Sequence, residues 1–259
     1  MFRAHVFTAS RISIVLFVLL LAGNGIAENL TESGNGRFIV IQQTRSGDVR
    51  AFVAGPESAR AAVLVVHDYF GISTATQKSV EHLGALGYRA LAVDLYGGRS
   101  ATNHEEALKL MRGLDRANTD TILQAGLNYL KRPGRKLATI GFSMGGIEAL
   151  NANLNDPDDV SATVMIYGSG YDTIELARLQ RIRGAVLVIT GSEDAGAADA
   201  GVHFLSVMKQ AKRSYELVVY PDVDHGYAQP LFNEGKNYNA DAVHATWVVV
   251  DDFLGKTFQ

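Results

Sequence analysis

The chain has 259 residues, 47% hydrophobic and 20% charged, with 26 Gly, 5 Pro, no Cys and a formal net charge of −3. This composition excludes a disulfide-stapled miniprotein, a collagen-like repeat and a disordered charged tail. Without a thiol there is no cysteine nucleophile, no CxxC redox pair and no Cys-ligated zinc, and no run of Lys or Arg forms the basic stripe of a nucleic-acid binder.

Residues 1–27 read as a secretory signal. Arg3 and Arg11 precede the apolar run 12–22, and Gly25-Ile26-Ala27 offers the small residues of a cleavage site. As a helix that run rises only about 16 Å against a hydrocarbon core of about 30 Å, too short for an anchor. The expectation is cleavage after Ala27, a secreted or periplasmic protein, and no stable membrane span afterwards. Residues 28–36 are polar and read as a flexible leader, and 37–259 as a single domain, a size that suits one hydrophobic core.

Segments 38–42 and 49–53, joined by Ser46-Gly47-Asp48, read as a β-hairpin. Short runs rich in Val, Leu and Ile follow at Ala61–Val66, Arg89–Val93, 137–140, 162–167, 186–190 and Tyr215–Tyr220, the pattern of strands buried on both faces of a parallel sheet. Helix-like stretches lie at 75–86, 121–130, 147–153, 198–211 and 240–254. A hairpin followed by strand–helix units predicts an α/β fold with an eight-stranded, mostly parallel, doubly wound sheet and helices on both faces.

The chemistry-bearing residues fall at the ends of those strands. Gly141-Phe142-Ser143-Met144-Gly145 is a G-x-S-x-G segment between a strand and a helix, the setting of a nucleophile elbow whose flanking positions have no room for side chains. Later strand ends bring Gly191-Ser192-Glu193-Asp194 and Pro221-Asp222-Val223-Asp224-His225-Gly226. The order Ser143, Asp194, His225 is that of α/β-hydrolases, whose sheets place ligands at the carboxyl ends of parallel strands. Glu193, Asp199, Asp222 and Asp224 are rival acids, and Asp194 is preferred because it follows the strand–Gly–x–x pattern. An ester-cleaving serine also needs backbone donors for the oxyanion. The amides of Met144 and of Tyr69, within His67-Asp68-Tyr69-Phe70-Gly71, are the expected pair. His67 reads as a strand end capped by its own loop. No metal is expected there, because sequence neighbours on a strand point apart.

These motifs, together with Asp94-Leu95-Tyr96-Gly97-Gly98 and the segment from Tyr220 to Tyr227, resemble the dienelactone hydrolase family from about residue 37 to the C-terminus. The resemblance implies an α/β-hydrolase fold, no cofactor, and hydrolysis of small-molecule esters or lactones by Ser143, His225 and Asp194. Family members best known for lactone cleavage carry Cys where this chain has Ser143, which points towards general carboxylester hydrolysis. They carry Glu where this chain has Asp68, and hold a substrate carboxylate with two arginines. In their places stand Arg99, displaced by about one residue, and Gln229, so neutral esters are expected to be preferred. Asp68, Tyr96, Arg99, Tyr171, Tyr227 and Gln229 are candidates for lining the pocket, in a monomer or small homo-oligomer. An acyltransferase or peptidase with the same triad, or a non-catalytic binding protein on the same fold, are the alternative readings.

Overall fold

Val, Leu and Ile alternate their side chains across a strand, so a run of them needs apolar cover on both faces. In the computed structural model the described residues are 3–8, 15–18, 36–44 and 47–259. The leader 28–36, apart from Gly36, and most of the segment read as a signal lie outside them. The strands are β1 (Arg3–Thr8), β2 (Val15–Val18), β3 (Arg37–Thr44), β4 (Gly47–Ala54), β5 (Ala61–Val66), β6 (Arg89–Val93), β7 (Lys136–Phe142), β8 (Val160–Ile166), β9 (Ala185–Gly191) and β10 (Tyr215–Tyr220). Their order in the sheet is β2-β1-β10-β9-β8-β7-β5-β6-β4-β3.

The strands from β10 through β6 in that order run parallel, and the hairpin β3/β4 joins β6 antiparallel. These eight are the strands expected from the sequence. β1 and β2, from the segment read as a signal, extend the sheet antiparallel beyond β10 and bring it to ten strands. A sheet edge presents unpaired N–H and C=O groups that an extended segment can satisfy.

The helices are α1 (Thr74–Ala85), α2 (His104–Arg112), α3 (Arg116–Leu130), α4 (Met144–Asn155), α5 (Leu176–Leu179), α6 (Ala195–Gln210) and α7 (Ala240–Thr257). Val63 and Val65 of β5 pack with Leu83 of α1 and Val250 of α7, whereas Ala62, Leu64 and Val66 pack on the other face with Leu123 and Leu127 of α3. A third cluster joins Phe204 and Met208 of α6 to Val186 and Leu217. Leu64, Leu91 and Leu127 are fully buried, and truncating such a leucine to alanine costs about 2 to 5 kcal/mol. α2 was not anticipated. Only Ala107 of it is fully buried, with Leu108, Leu110 and Met111 partly buried beside it against Tyr69 and Phe70. Among the described residues no helix is long and apolar enough to cross a membrane. The parallel strands all deliver their carboxyl ends to one edge of the sheet, with β7 near its middle.

Candidate active site

At the end of β7 the chain reverses into α4 through Ser143, whose φ of 52° and ψ of −121° lie in a region that residues with a Cβ rarely occupy. The two flanking glycines are required by contact. A Cβ on Gly141 would stand 1.8 Å from the Gly145 carbonyl oxygen, and one on Gly145 would stand 2.4 Å from the carbonyl oxygens of both Val66 and His67. All of these are backbone atoms, so the start of α4 is pressed against the end of β5. This close approach brings the loop after β5 beside Ser143.

The loop after β10 carries His225, and the residue capping α6 after β9 is Asp194. His225 Nε2 lies 2.9 Å from Ser143 Oγ, and His225 Nδ1 lies 2.7 Å from Asp194 Oδ2. The three side chains form one hydrogen-bonded line across the carboxyl ends of β7, β9 and β10. The His225 and Asp194 side chains are 26% and 14% exposed, so the imidazole is the more open of the two. Of the rival acids, Asp224 accepts from the His225 backbone N–H and from Asn237 rather than from the ring. Asp222 sits in a turn with φ of 57°, and Glu193 hydrogen-bonds Ser192.

The imidazole is also held from the sides. Tyr167 meets it edge-on at 5.4 Å between ring centroids, and Phe232 packs against it at 5.3 Å. The sequence reading missed both. Tyr167 is fully buried, has a φ of 40° and donates its amide to Ile189. Its place at the carboxyl end of a predicted strand was the available signal.

Among the described residues, neither the Tyr69 amide in the loop after β5 nor the Met144 amide at the start of α4 has a hydrogen-bond acceptor. The Tyr96 hydroxyl donates to the Tyr69 carbonyl at 3.2 Å and lies 3.5 Å from Met144 Sδ, which ties the two amide-bearing segments together. The Tyr69 hydroxyl is 2.9 Å from His104 Nδ1, and burial beside Asp68 pushes this phenol up to about 12. His67 bridges the loops after β5 and β6. Its Nε2 accepts from the Leu95 amide at 3.2 Å, so the ring proton sits on Nδ1 and donates to the Asp68 carbonyl. Burial lowers its pKa, in keeping with a neutral ring.

Asp68 is 4% exposed and Gln229 is 2% exposed. Asp68 Oδ1 accepts the Phe70 amide at 2.8 Å and Oδ2 accepts the Gln229 side-chain amide at 2.6 Å. Burial raises the Asp68 carboxyl to about 6, against the opposing pull of Gln229, Phe70 and His225.

The remaining predicted pocket residues are engaged elsewhere. Arg99 is exposed and donates from Nε to the Tyr96 carbonyl of its own loop. Tyr171 and Tyr227 have no exposed surface. The former donates to the Ala197 carbonyl and packs on Phe204, and the latter pairs with Thr246 at 2.7 Å and packs on Tyr167. Both are core side chains, because an aromatic at a strand end can turn inward as readily as towards a cleft. A cavity of about 360 Å³ lies farther along the same edge, lined by Phe38, Val40, Arg50, Ile72, Asp94 and Gly98, and not by Ser143 or His225.

The dienelactone hydrolase family matches residues 49–258. The chain is 27% identical over 253 residues to a protein of Saccharolobus solfataricus named "Putative carboxymethylenebutenolidase", an alignment covering 80% of this chain and 93% of that one. Its fold is similar to that of a dienelactone hydrolase-like promiscuous phosphotriesterase from metagenomic libraries, with a TM-score of 0.75 and 22% identity over 86% of this chain and 99% of the other. It is also similar to a dienelactone hydrolase from Anabaena variabilis, with a TM-score of 0.62 and 23% identity over 82% and 95% of the two chains.

Proposed function

The chain belongs to the dienelactone hydrolase family, and on that premise we propose that it cleaves carboxylic esters or lactones through an acyl-enzyme on Ser143. The observation that carries this reading is the line of two hydrogen bonds from Ser143 Oγ through His225 to Asp194, 2.9 and 2.7 Å long.

In the proposed reaction His225 Nε2 takes the Ser143 proton as Oγ adds to the substrate carbonyl. Asp194 holds Nδ1–H, keeps the imidazole in the reactive tautomer and stabilises its cation. The negative oxygen of the tetrahedral intermediate is received by the Tyr69 and Met144 amides, each such donor contributing about 3 kcal/mol to the rate. His225 then returns the proton to the departing alcohol. Water, deprotonated by the same imidazole, releases the acid and regenerates Ser143.

Neutral esters are the proposed substrates. The Arg99 Nε is engaged by its own loop and the Gln229 amide by Asp68, so the two positions supply no paired cations for a substrate carboxylate. Export is part of the proposal. Cleavage after Ala27 would remove β1 and β2 and leave the eight strands from β3 to β10, and the intact mass of protein from its native compartment should correspond to a chain starting at Glu28.

Fluorophosphonate labelling and aryl-ester turnover test the reaction. Ser143→Ala is expected to lose both while its melting temperature stays within a few degrees of wild type. Asp194→Asn should lower kcat by about 10⁴-fold, because the Asn amide favours the wrong tautomer of the imidazole. Turnover by a clean Ser143→Ala preparation, or labelling at another residue, would overturn the assignment.

A further inference from the structure

Two tight turns face each other across the candidate site. In the first, the Gly71 amide donates to the Asp68 carbonyl at 3.2 Å while Asp68 Oδ1 accepts the Phe70 amide at 2.8 Å, so Tyr69 sits inside a turn whose shape its neighbour's side chain fixes. In the second, the Gln229 amide donates to the Gly226 carbonyl at 2.9 Å, closing the chain immediately after His225. The Gln229 carbonyl accepts from Phe232, whose ring lies against both His225 and Tyr69.

One bond joins the turns. Gln229 Nε2 donates to Asp68 Oδ2 at 2.6 Å and approaches Ser73 Oγ at 3.3 Å, while Gln229 Oε1 accepts the Leu231 amide at 3.2 Å. Both oxygens of Asp68 and both ends of the Gln229 amide are therefore in use, which leaves neither free to bind substrate. The ionisable groups facing the Asp68 carboxyl are His225, Tyr69, Tyr96 and Tyr167.

We propose that Asp68 and Gln229 are a positioning pair. Their hydrogen bond locks the turn that aims the Tyr69 amide to the turn that follows His225, so that oxyanion donor and general base keep one relative geometry. The inference rests on the reading of Ser143, His225 and Tyr69 given above. It differs from a merely structural role because the pair acts on the transition state and not on substrate capture. Loosening it should lower kcat and spare KM, since a displacement of about 1 Å at a reacting centre costs up to about a hundredfold.

Reversing the polarity of the bond supplies the test. In Asp68→Asn the single carbonyl oxygen can serve the Phe70 amide or Gln229 but not both, and two donors are left facing each other. In Gln229→Glu two buried carboxyls face each other. In the double variant Asp68→Asn/Gln229→Glu the Asn amide donates to the new carboxylate, which still accepts from Leu231, and the count of buried charges is unchanged.

With an aryl acetate as substrate, Gln229→Ala and Asp68→Asn should each lose about ten- to a hundredfold in kcat with KM within about threefold of wild type, and the double variant should recover to within about threefold. Thermal midpoints taken alongside identify a single variant that fails to fold, and the double variant then decides the matter against its folded parents. A folded Gln229→Ala with wild-type kcat, or a double variant no better than Asp68→Asn, overturns the proposal while leaving the Ser143 reading intact. If Ser143→Ala keeps its turnover, that reading falls and the positioning pair falls with it.

Discussion

Asp68 and Asp94 stand at the ends of neighbouring parallel strands, β5 and β6, and begin their loops in the same way. They are 4% and 5% exposed, and each accepts with Oδ1, at 2.8 Å, the amide of the residue two positions on, Phe70 in one loop and Tyr96 in the other. They part at the second oxygen. Asp94 Oδ2 takes the Gly98 amide from within its own loop, so that turn is complete in five consecutive residues. Asp68 Oδ2 takes Gln229, 161 positions away in the chain. A carboxylate that spends both oxygens on its own loop shapes only that loop, whereas one that reaches a distant side chain couples two loops and makes the site depend on both.

The widest break between the two should come from Asp94→Ala. Hydrogen bonds to a charged group contribute about 1.5 to 3 kcal/mol each, so losing the two that close the loop should destabilise the fold by about 3 to 6 kcal/mol in urea unfolding. A loss below about 1 kcal/mol would mean that the loop closes without them.

Next in size is a pH effect belonging to Asp68. An unfolded carboxyl ionises near 3.9 and the native one at about 6, so between those values the native state holds the extra proton. Stability should therefore fall as pH rises through that window, by about 3 kcal/mol in all, and level off above it. Chemical unfolding across the window, in wild type and Asp68→Asn, checks this, since the slope assigned to Asp68 should vanish in the variant.

Gln229→Ala sharpens the same point. The Gln229 amide favours the charged form of Asp68, so its loss should raise the native carboxyl further and carry the falling limb above pH 6. An unchanged limb would show that the bond does not act on the charge. The smallest effect is expected at Gly98→Ala. Gly98 has a φ of 90°, but the nearest atom to an added Cβ is the far end of Arg50 at 3.1 Å, so the cost is about 1 kcal/mol of backbone strain. Gly71→Ala, in the Asp68 loop, meets the Arg99 carbonyl at 2.9 Å with φ of 89° and should cost more, which thermal melts of the two variants would rank.

The same contrast explains what could be read from the chain. Apolar runs bounded by turns identified every strand from β3 to β10, because burial on both faces leaves a pattern inside a few residues. The G-x-S-x-G segment, likewise local, carried its strand–turn–helix context with it. α2 was missed although Asn103 accepts the Glu106 amide and the Glu106 carboxylate returns to Thr102, a capping signature present in the sequence ahead of the apolar positions Ala107, Leu108 and Met111. The chain order of Ser143, Asp194 and His225 was legible, but their hydrogen-bond distances were not. Nor could the sequence tell that Tyr171 and Tyr227 turn into the core, that Tyr167 and Phe232 flank the imidazole, or that Gln229 meets Asp68. Each of those depends on which loops the sheet order brings together, information that no single window contains.

The backbone of Ser143 has a bearing on how this protein would respond to laboratory selection. A non-glycine residue in so sparsely populated a conformation costs about 1 to 3 kcal/mol, and the cost belongs to the position rather than to the hydroxyl. Alanine or cysteine there would carry it equally, and only glycine escapes it. A library screened for heat resistance alone should therefore enrich Ser143→Gly among its survivors. The variants that endure best would be those that have lost the Ser143 hydroxyl, the proposed nucleophile, and only a screen that also reads turnover would keep it.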